Sequence, residues 1–203
     1  MTQYAVPNAD TATGNWTRYP ATGSFYSKID ETPVASVDDT DYITVVEDDE
    51  AGIYSNPTLG TATFTLSTIT DPESDADHVV KYRVKYVGSN APVFDVKLYQ
   101  SSTLRASKQH TGGTVLTSSF VNYELALSTA EADSITDYGA LKLTIILSGT
   151  GGEEFVGVRV SQLFFETGDA GGGGGGGPVA TTGGGPDSFS IGGNGFGSNF
   201  SLE

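Results

Sequence analysis

The sequence predicts an all-β protein, an antiparallel β-sandwich or jelly roll with one short helix. Three observations support this: apolar and polar residues alternate in several segments, turn-forming residues separate these segments, and a single segment has a helical pattern. Strands spaced in this way, without intervening helices, are typical of two sheets packed face to face. The pattern extends over residues 1–168, which we interpret as one domain.

Alternation with a period of two assigns the strands and their buried faces. Two weaker strands are predicted at residues 42–46 and 62–69, the second with Phe64 and Leu66 inward. In VVKYRVKYV the aromatic and aliphatic residues face inward, while Lys81, Arg83 and Lys85 face solvent. The inward residues of this and the later strands are Val80, Tyr82, Val84 and Tyr86; Phe94, Val96 and Leu98; Val121, Tyr123, Leu125 and Leu127; Leu141, Leu143, Ile145 and Leu147; and Val156, Val158 and Val160, followed by the apolar run 163–165.

The one helical segment is STAEADSI. Ser128 with Glu131 three residues later forms a capping box, which predicts one or two helical turns. We expect this helix to cross from one strand to another at an end of the sandwich.

The periodic pattern stops before a glycine-rich C-terminal region. Residues 169–186 include seven consecutive glycines and are predicted to be a linker. Residues 187–203 are predicted to form an extended arm, with apolar side chains at Phe189, Ile191, Phe196, Phe200 and Leu202. Ordering seven glycines costs on the order of 10 kcal/mol, which burial of the five apolar side chains, at about 1.5–3 kcal/mol each, would offset on a partner surface. We therefore predict that the arm binds a neighbouring subunit.

Composition excludes several classes of protein. The net charge of −15 argues against a nucleic-acid ligand, because phosphates would be repelled. The chain has no cysteine, and no apolar run approaches the roughly 18 residues of a membrane span. The start MTQYAVPNADTATGNW lacks the pattern of a signal peptide, so we expect synthesis in a cytoplasm.

The charges are unevenly distributed along the chain. Nine of the 25 acidic residues fall within residues 30–50 and four within 71–77. The basic residues concentrate elsewhere, at Lys81, Arg83, Lys85 and Lys97. This polarity could steer one copy of the chain onto another; the simpler interpretation is a solvated surface.

No catalytic motif is present. The two histidines, His78 and His110, fall at predicted turns or strand edges, and we interpret them as exposed loop residues. The sequence has no G-x-S-x-G, no H-E-x-x-H and no P-loop, and its acidic residues fall mostly in turns, unlike a glycosidase pair. We therefore predict that the protein is not an enzyme.

Two acidic segments could hold a cation. DPESDAD places carboxylates at alternate positions, Asp71, Glu73, Asp75 and Asp77, as at the start of a calcium loop. Ala76 then stands where that loop needs glycine, and Tyr82 where it needs the closing glutamate, so a solvated acidic turn is favoured and a looser calcium site stays open. The run EDDE at residues 47–50 allows a cation, a basic partner surface or a plain loop. No other cofactor is expected.

The N-terminal segment NWTRYPATGSFY carries four aromatic residues that could form a platform for a sugar ring. Trp16 and Tyr19 are the candidate glycan contacts, with Phe25 and Tyr26 nearby. The competing and favoured interpretation is that Trp16 closes one end of the core.

Several segments together resemble a known family. NADTATGNW, YSKIDE, DDTDYI, HVVKYRVKY, LSTAEADSITDYGALKL and VRVSQLFFETGDAGGG follow one another in this order. Over residues 5–175 the chain resembles an uncharacterised β-sandwich family of structural proteins from tailed bacteriophages. The resemblance implies a virion component, such as a head-decoration (capsid decoration), fibre or tail-associated protein, with other virion proteins and further copies of the chain as partners. It brings no catalytic residues with it.

Overall fold

The chain folds as a sandwich of two antiparallel sheets, which confirms the predicted fold class. The computed structural model describes residues 2–31, 38–47, 60–88, 92–111, 116–148 and 156–168. The predicted linker 169–186, the arm 187–203 with its five apolar residues, and positions 48–50 of the EDDE run lie outside the described residues.

The described residues include eleven strands and two short helical segments. In chain order they are β1 Gln3–Ala5, β2 Pro7–Ala12, β3 Thr17–Tyr19, a 3-10 helix Tyr26–Lys28, β4 Tyr42–Glu47, β5 Gly60–Leu66, β6 Val79–Gly88, β7 Val93–Gln100, β8 Thr103–His110, β9 Val121–Ala126, α1 Thr129–Asp133, β10 Leu141–Ser148 and β11 Val156–Thr167. The first sheet has the order β3-β4-β11-β6-β9, with β1 also paired to β11, and the second has the order β2-β5-β10-β7-β8. Strands β4 to β11 alternate between the sheets except at β7 and β8, which form a hairpin within the second sheet, as in a jelly roll.

The core forms where the predicted inward faces of the two sheets meet. The inward side chains of β5, β7 and β10, among them Phe64, Phe94 and Leu143, are fully buried. The pattern weakens at the sheet edge: Val121 of β9 is 38 % exposed, and Tyr86, Tyr123 and Leu127 are only half-buried. Val121 and Tyr123 have fewer neighbours because β9 is an edge strand, paired on one side only. Tyr86 and Leu127 lie beyond the paired residues of β6 and β9.

Strand β8 was not predicted, because TLRASKQH has no apolar alternation. It forms as an edge strand after a tight turn in which Ser101 has a φ of 56°, and it pairs along the whole of β7. Its buried residues are Ala106 and His110.

A β-bulge in β11 changes which side chains face the core. Val158 and Val160 face inward before the bulge, whereas Leu163 and Phe165 do so after it. One extra residue at Ser161 shifts the alternation by one position, so both halves of the strand bury apolar side chains.

The predicted capping box is confirmed. Ser128 Oγ accepts a hydrogen bond from Glu131 N, and Glu131 Oε2 accepts one from Ser128 N at 2.8 Å. Helix α1 joins β9 in the first sheet to β10 in the second, as expected of a crossover. Within the described residues, no helix has the length and apolar character needed to cross a membrane.

Trp16 belongs to the core and presents no ring face to solvent. It is 3 % exposed, and a Cβ added to Gly60 would lie 3.0 Å from Trp16 Nε1 and 3.0 Å from Val45 Cγ2. The indole therefore packs directly against backbone. Trp16 is therefore part of the core, and a buried indole offers no ring face for a sugar to stack on.

The contrast between Trp16 and Tyr19 gives a test of this packing. Trp16→Ala should lower the free energy of unfolding by about 3–5 kcal/mol, because it leaves a cavity. Tyr19→Ala should cost about 1 kcal/mol or less, since Tyr19 is 56 % exposed and loses one ring contact. Urea unfolding followed by circular dichroism measures both, and equal losses would contradict the assignment of Trp16 to the core.

Candidate functional site

The outer face of the first sheet carries a cluster of aromatic and basic side chains. They come from strands that are distant in sequence but adjacent in the sheet, with Phe120 immediately preceding β9. We call this cluster the aromatic–cationic face; its members are Tyr19, Tyr42, Arg83, Lys85, Phe120 and Arg159.

Aromatic rings and a guanidinium group stack across the strands. Tyr19 and Tyr42 are directly paired, and their rings stack with centroids 5.2 Å apart and planes 19° apart. Arg159 Cζ lies 4.7 Å from the centroid of the Tyr42 ring. Since β3 and β11 flank β4 on opposite sides, Tyr19 and Arg159 approach Tyr42 from opposite sides. Each contact of this kind contributes about 0.5–1.5 kcal/mol and holds the side chains in place.

Phe120 extends this row toward β6. Lys85 Nζ lies 4.6 Å and Arg83 Cζ 5.7 Å from the Phe120 ring centroid, and the ring lies 6.4 Å from that of Tyr42. Two cations thus contact the same aromatic ring. These cation–π contacts hold the two side chains in place but add no negative charge.

Asp39 neutralises one of the three cations. Arg83 Nε and Nη2 donate hydrogen bonds to the two Asp39 carboxylate oxygens at 2.8 and 2.6 Å. The bulged Ser161 donates a further hydrogen bond to Asp39 Oδ1 at 2.9 Å, so the bulge in β11 supports this pair. The hydrogen bond from Arg83 is the main reason that the pKa of Asp39 lies below its usual value.

The other two cations, Lys85 and Arg159, form no ion pair with a described residue. The ion pairs among the described residues involve Lys28, Lys81 and Arg83, and none involves Lys85 or Arg159. In a chain with a net charge of −15, these two form a local positive patch beside aromatic rings. Such a patch can bind a carboxylate and a flat or apolar group at the same time.

Among the four predicted N-terminal aromatic residues, Tyr19 is the one with an exposed ring. Phe25 and Tyr26 pack against the core, and Arg18 Cζ lies 5.0 Å over the Phe25 ring. Tyr19 lies on the edge strand β3, so in the part of the chain that the structure describes no strand lies on the side of its ring opposite Tyr42.

Sequence reasoning placed Arg83 and Lys85 on an outer face but missed Tyr42, Phe120 and Arg159. Arg159 stands between the inward Val158 and Val160, so alternation alone could have assigned it outward. Arg159 lies beside Tyr42 because β11 and β4 are neighbours in the sheet. The alternation of residues within one strand does not predict which strands are neighbours.

The predicted calcium residues do not come together. Asp71, Glu73, Asp75 and Asp77 are all exposed, and Asp71 Oδ1 accepts a hydrogen bond from Glu73 N at 2.8 Å. The described acidic residues that bring three carboxylate oxygens within 4.8 Å of one another are instead Glu31, Asp38 and Asp41. Asp41 of that group forms an ion pair with Lys28 at 3.5 Å.

Both histidines are buried, so their interpretation as exposed loop residues was wrong. His78 is 2 % exposed; its Nδ1 donates to Ala76 O at 3.0 Å, and its Nε2 accepts from Tyr138 Oη at 2.6 Å. His110 is 1 % exposed, and its Nε2 is hydrogen-bonded to Tyr82 Oη. The rings fill core positions at strand ends that aliphatic residues occupy elsewhere in the sandwich.

Burial sets the protonation of the His110–Tyr82 pair. It lowers the pKa of His110 to about 4, with the nearby Lys108 charge acting in the same direction, and it raises the pKa of Tyr82. His110 Nδ1 has no hydrogen-bond partner among the described residues. The pair is therefore neutral near pH 7 and belongs to the core.

Comparison with known proteins identifies no family for this chain. No family model matches the chain, and neither does any curated protein. Among solved structures, SGBP-B from a complex xyloglucan utilization locus in Bacteroides uniformis is 12 % identical with a TM-score of 0.49; the match covers 79 % of this chain but only 49 % of SGBP-B. An apo form cyclase from Fischerella sp. is 13 % identical with a TM-score of 0.44, covering 81 % of each chain. A cyclase from Fischerella sp. TAU in complex with 4-(1H-indol-3-yl)butan-2-one is 15 % identical with a TM-score of 0.41, covering 83 % of this chain and 74 % of its own.

Buried His110 should make the protein less stable in acid. Its pKa is about 4 in the folded chain and 6.5 in the unfolded chain, so the unfolded chain binds the extra proton as the pH falls from 6.5 to 4. Over this range the native protein should lose about 3 kcal/mol more free energy of unfolding than His110→Gln, in which this group cannot titrate. Urea titrations of both proteins at pH 7 and pH 4 measure the difference; parallel losses would contradict a neutral buried His110.

Proposed function

We propose that the protein is a non-enzymatic structural subunit of a phage virion, and that it contacts neighbouring subunits through the aromatic–cationic face. The resemblance to tailed-phage structural proteins supports the virion setting. The observation that supports this surface is the stack of Tyr19, Tyr42 and Arg159 beside Lys85. Arg159 and Lys85 have no ion-pair partner among the described residues.

The composition of this face is that of a protein–protein interface. Tyrosine and arginine are enriched where association energy concentrates, because they bring large area and hydrogen-bonding groups at low entropic cost. Here stacking and cation–π contacts already hold these side chains, so less conformational freedom is lost on binding. The C-terminal arm stays a second predicted contact, argued from sequence alone.

Incorporation into particles tests this proposal. The Tyr19→Ser/Lys85→Ser variant should be incorporated at least tenfold less than the native chain, which corresponds to a loss of about 1.4 kcal/mol at the contact. Quantitative mass spectrometry of gradient-purified particles, with each variant supplied in place of the native chain, gives the measurement. Tyr99→Ser/Lys97→Ser is the matched control, because it removes the same two residue types from the outer face of the second sheet.

Two results would contradict the proposal. Absence of the native chain from purified particles would overturn the virion role. Equal incorporation of the two double variants would show that the aromatic–cationic face is not part of the contact between subunits.

Glycan binding is the second candidate, and the exposed ring of Tyr19 favours it. A sugar could stack on the ring side opposite Tyr42 while neighbouring polar groups bind its hydroxyls. On a glycan array the native chain should then bind a defined sugar, and Tyr19→Ala should weaken that signal at least tenfold while Tyr99→Ala leaves it unchanged. An array without signal for the native chain would eliminate this candidate.

A further inference from the structure

A second surface of the chain is complementary in charge to the aromatic–cationic face. We call residues 71–77 the acidic loop; its four carboxylates, Asp71, Glu73, Asp75 and Asp77, are all exposed. The loop is held by its own hydrogen bonds, Glu73 N to Asp71 Oδ1 at 2.8 Å and Ala76 N to Ser74 Oγ at 3.3 Å. Its carboxylates are therefore presented to solvent by an ordered turn.

The acidic loop and the face lie toward opposite ends of one strand. Strand β6 begins at Val79, just after the loop, and Lys85 is six residues further along, about 20 Å at the rise of a β-strand. This distance is about twice the Debye length at 0.1 M salt. The two charged surfaces of one molecule therefore interact weakly with each other, and both are available to other molecules.

We propose that the acidic loop of one copy docks on the aromatic–cationic face of a second copy. This inference rests on the proposed function and names the neighbour as another copy of the same chain. Loop carboxylates would accept hydrogen bonds from Lys85 Nζ and the Arg159 guanidinium, with the tyrosine hydroxyls as further donors. Because the two surfaces are different, the contact is head-to-tail and generates a ring or a filament.

Acidic residues beside the aromatic–cationic face restrict where the loop can dock. Asp39 is neutralised by Arg83, and Asp41 pairs with Lys28, but Asp38 and Glu31 add negative charge near Arg83.

Lys85 and Arg159 are the cations of the face that lie away from these acids. They are paired in register across β6 and β11, one outward-facing pair away from Arg83. The loop is therefore expected to contact this pair.

Charge reversal tests the contact on the full-length chain. Sedimentation velocity at low salt should show self-association that 0.5 M NaCl weakens. Lys85→Glu, and separately Glu73→Lys/Asp75→Lys, should each weaken it at least tenfold, whereas the triple variant should regain it to within about threefold. Lys97→Glu, on the second sheet, is the control for net charge, and circular dichroism confirms that each variant is folded.

The outcomes separate this inference from the proposed function. Absence of self-association, a loop reversal without effect, or no recovery in the triple variant would overturn head-to-tail docking. In each case particle incorporation of the Tyr19→Ser/Lys85→Ser variant still tests the proposed function, because that measurement does not depend on which molecule is the neighbour.

Discussion

Strand β11 has to lie inside the first sheet, and the rest of the structure is arranged around it. Its 12 residues are almost all buried, so it must be paired on both sides and covered by the second sheet. Strands β4 and β6 pair along it, and β1 pairs with its end. The bulge at Ser161 lets both halves of the strand bury apolar side chains, and it also delivers the hydroxyl that supports Asp39 and Arg83.

The same strand order builds the aromatic–cationic face. Tyr42, Arg159 and Lys85 belong to the neighbouring strands β4, β11 and β6, and cross-strand pairs stand about 5 Å apart in a sheet. Arg159 lies over the Tyr42 ring and Lys85 over the Phe120 ring, and these contacts stabilise the two positive charges without supplying a negative charge. A positive patch can therefore persist on a chain whose net charge is −15.

Alternation was sufficient to predict the sandwich and most of its core, and the capping box of Ser128 and Glu131 predicted the helix, because both patterns depend on residues close together in sequence. It did not predict β8 or the burial of His78 and His110, since those depend on pairing partners and on tyrosines far along the chain. For the candidate site, the outward direction of Lys85 was predictable. The position of Lys85 beside Phe120 and Arg159 was not predictable, because it depends on the order of the strands in the sheet.

The histidines and the aromatic–cationic face differ in whether solvent can reach them. Of the described groups that could exchange a proton near neutral pH, the two histidines are buried in hydrogen bonds with tyrosines, and burial keeps His110 neutral. The groups that solvent can reach on the aromatic–cationic face are tyrosine rings and hydroxyls, a lysine ammonium and arginine guanidinium groups. Such groups bind a partner by shape, charge and hydrogen bonds.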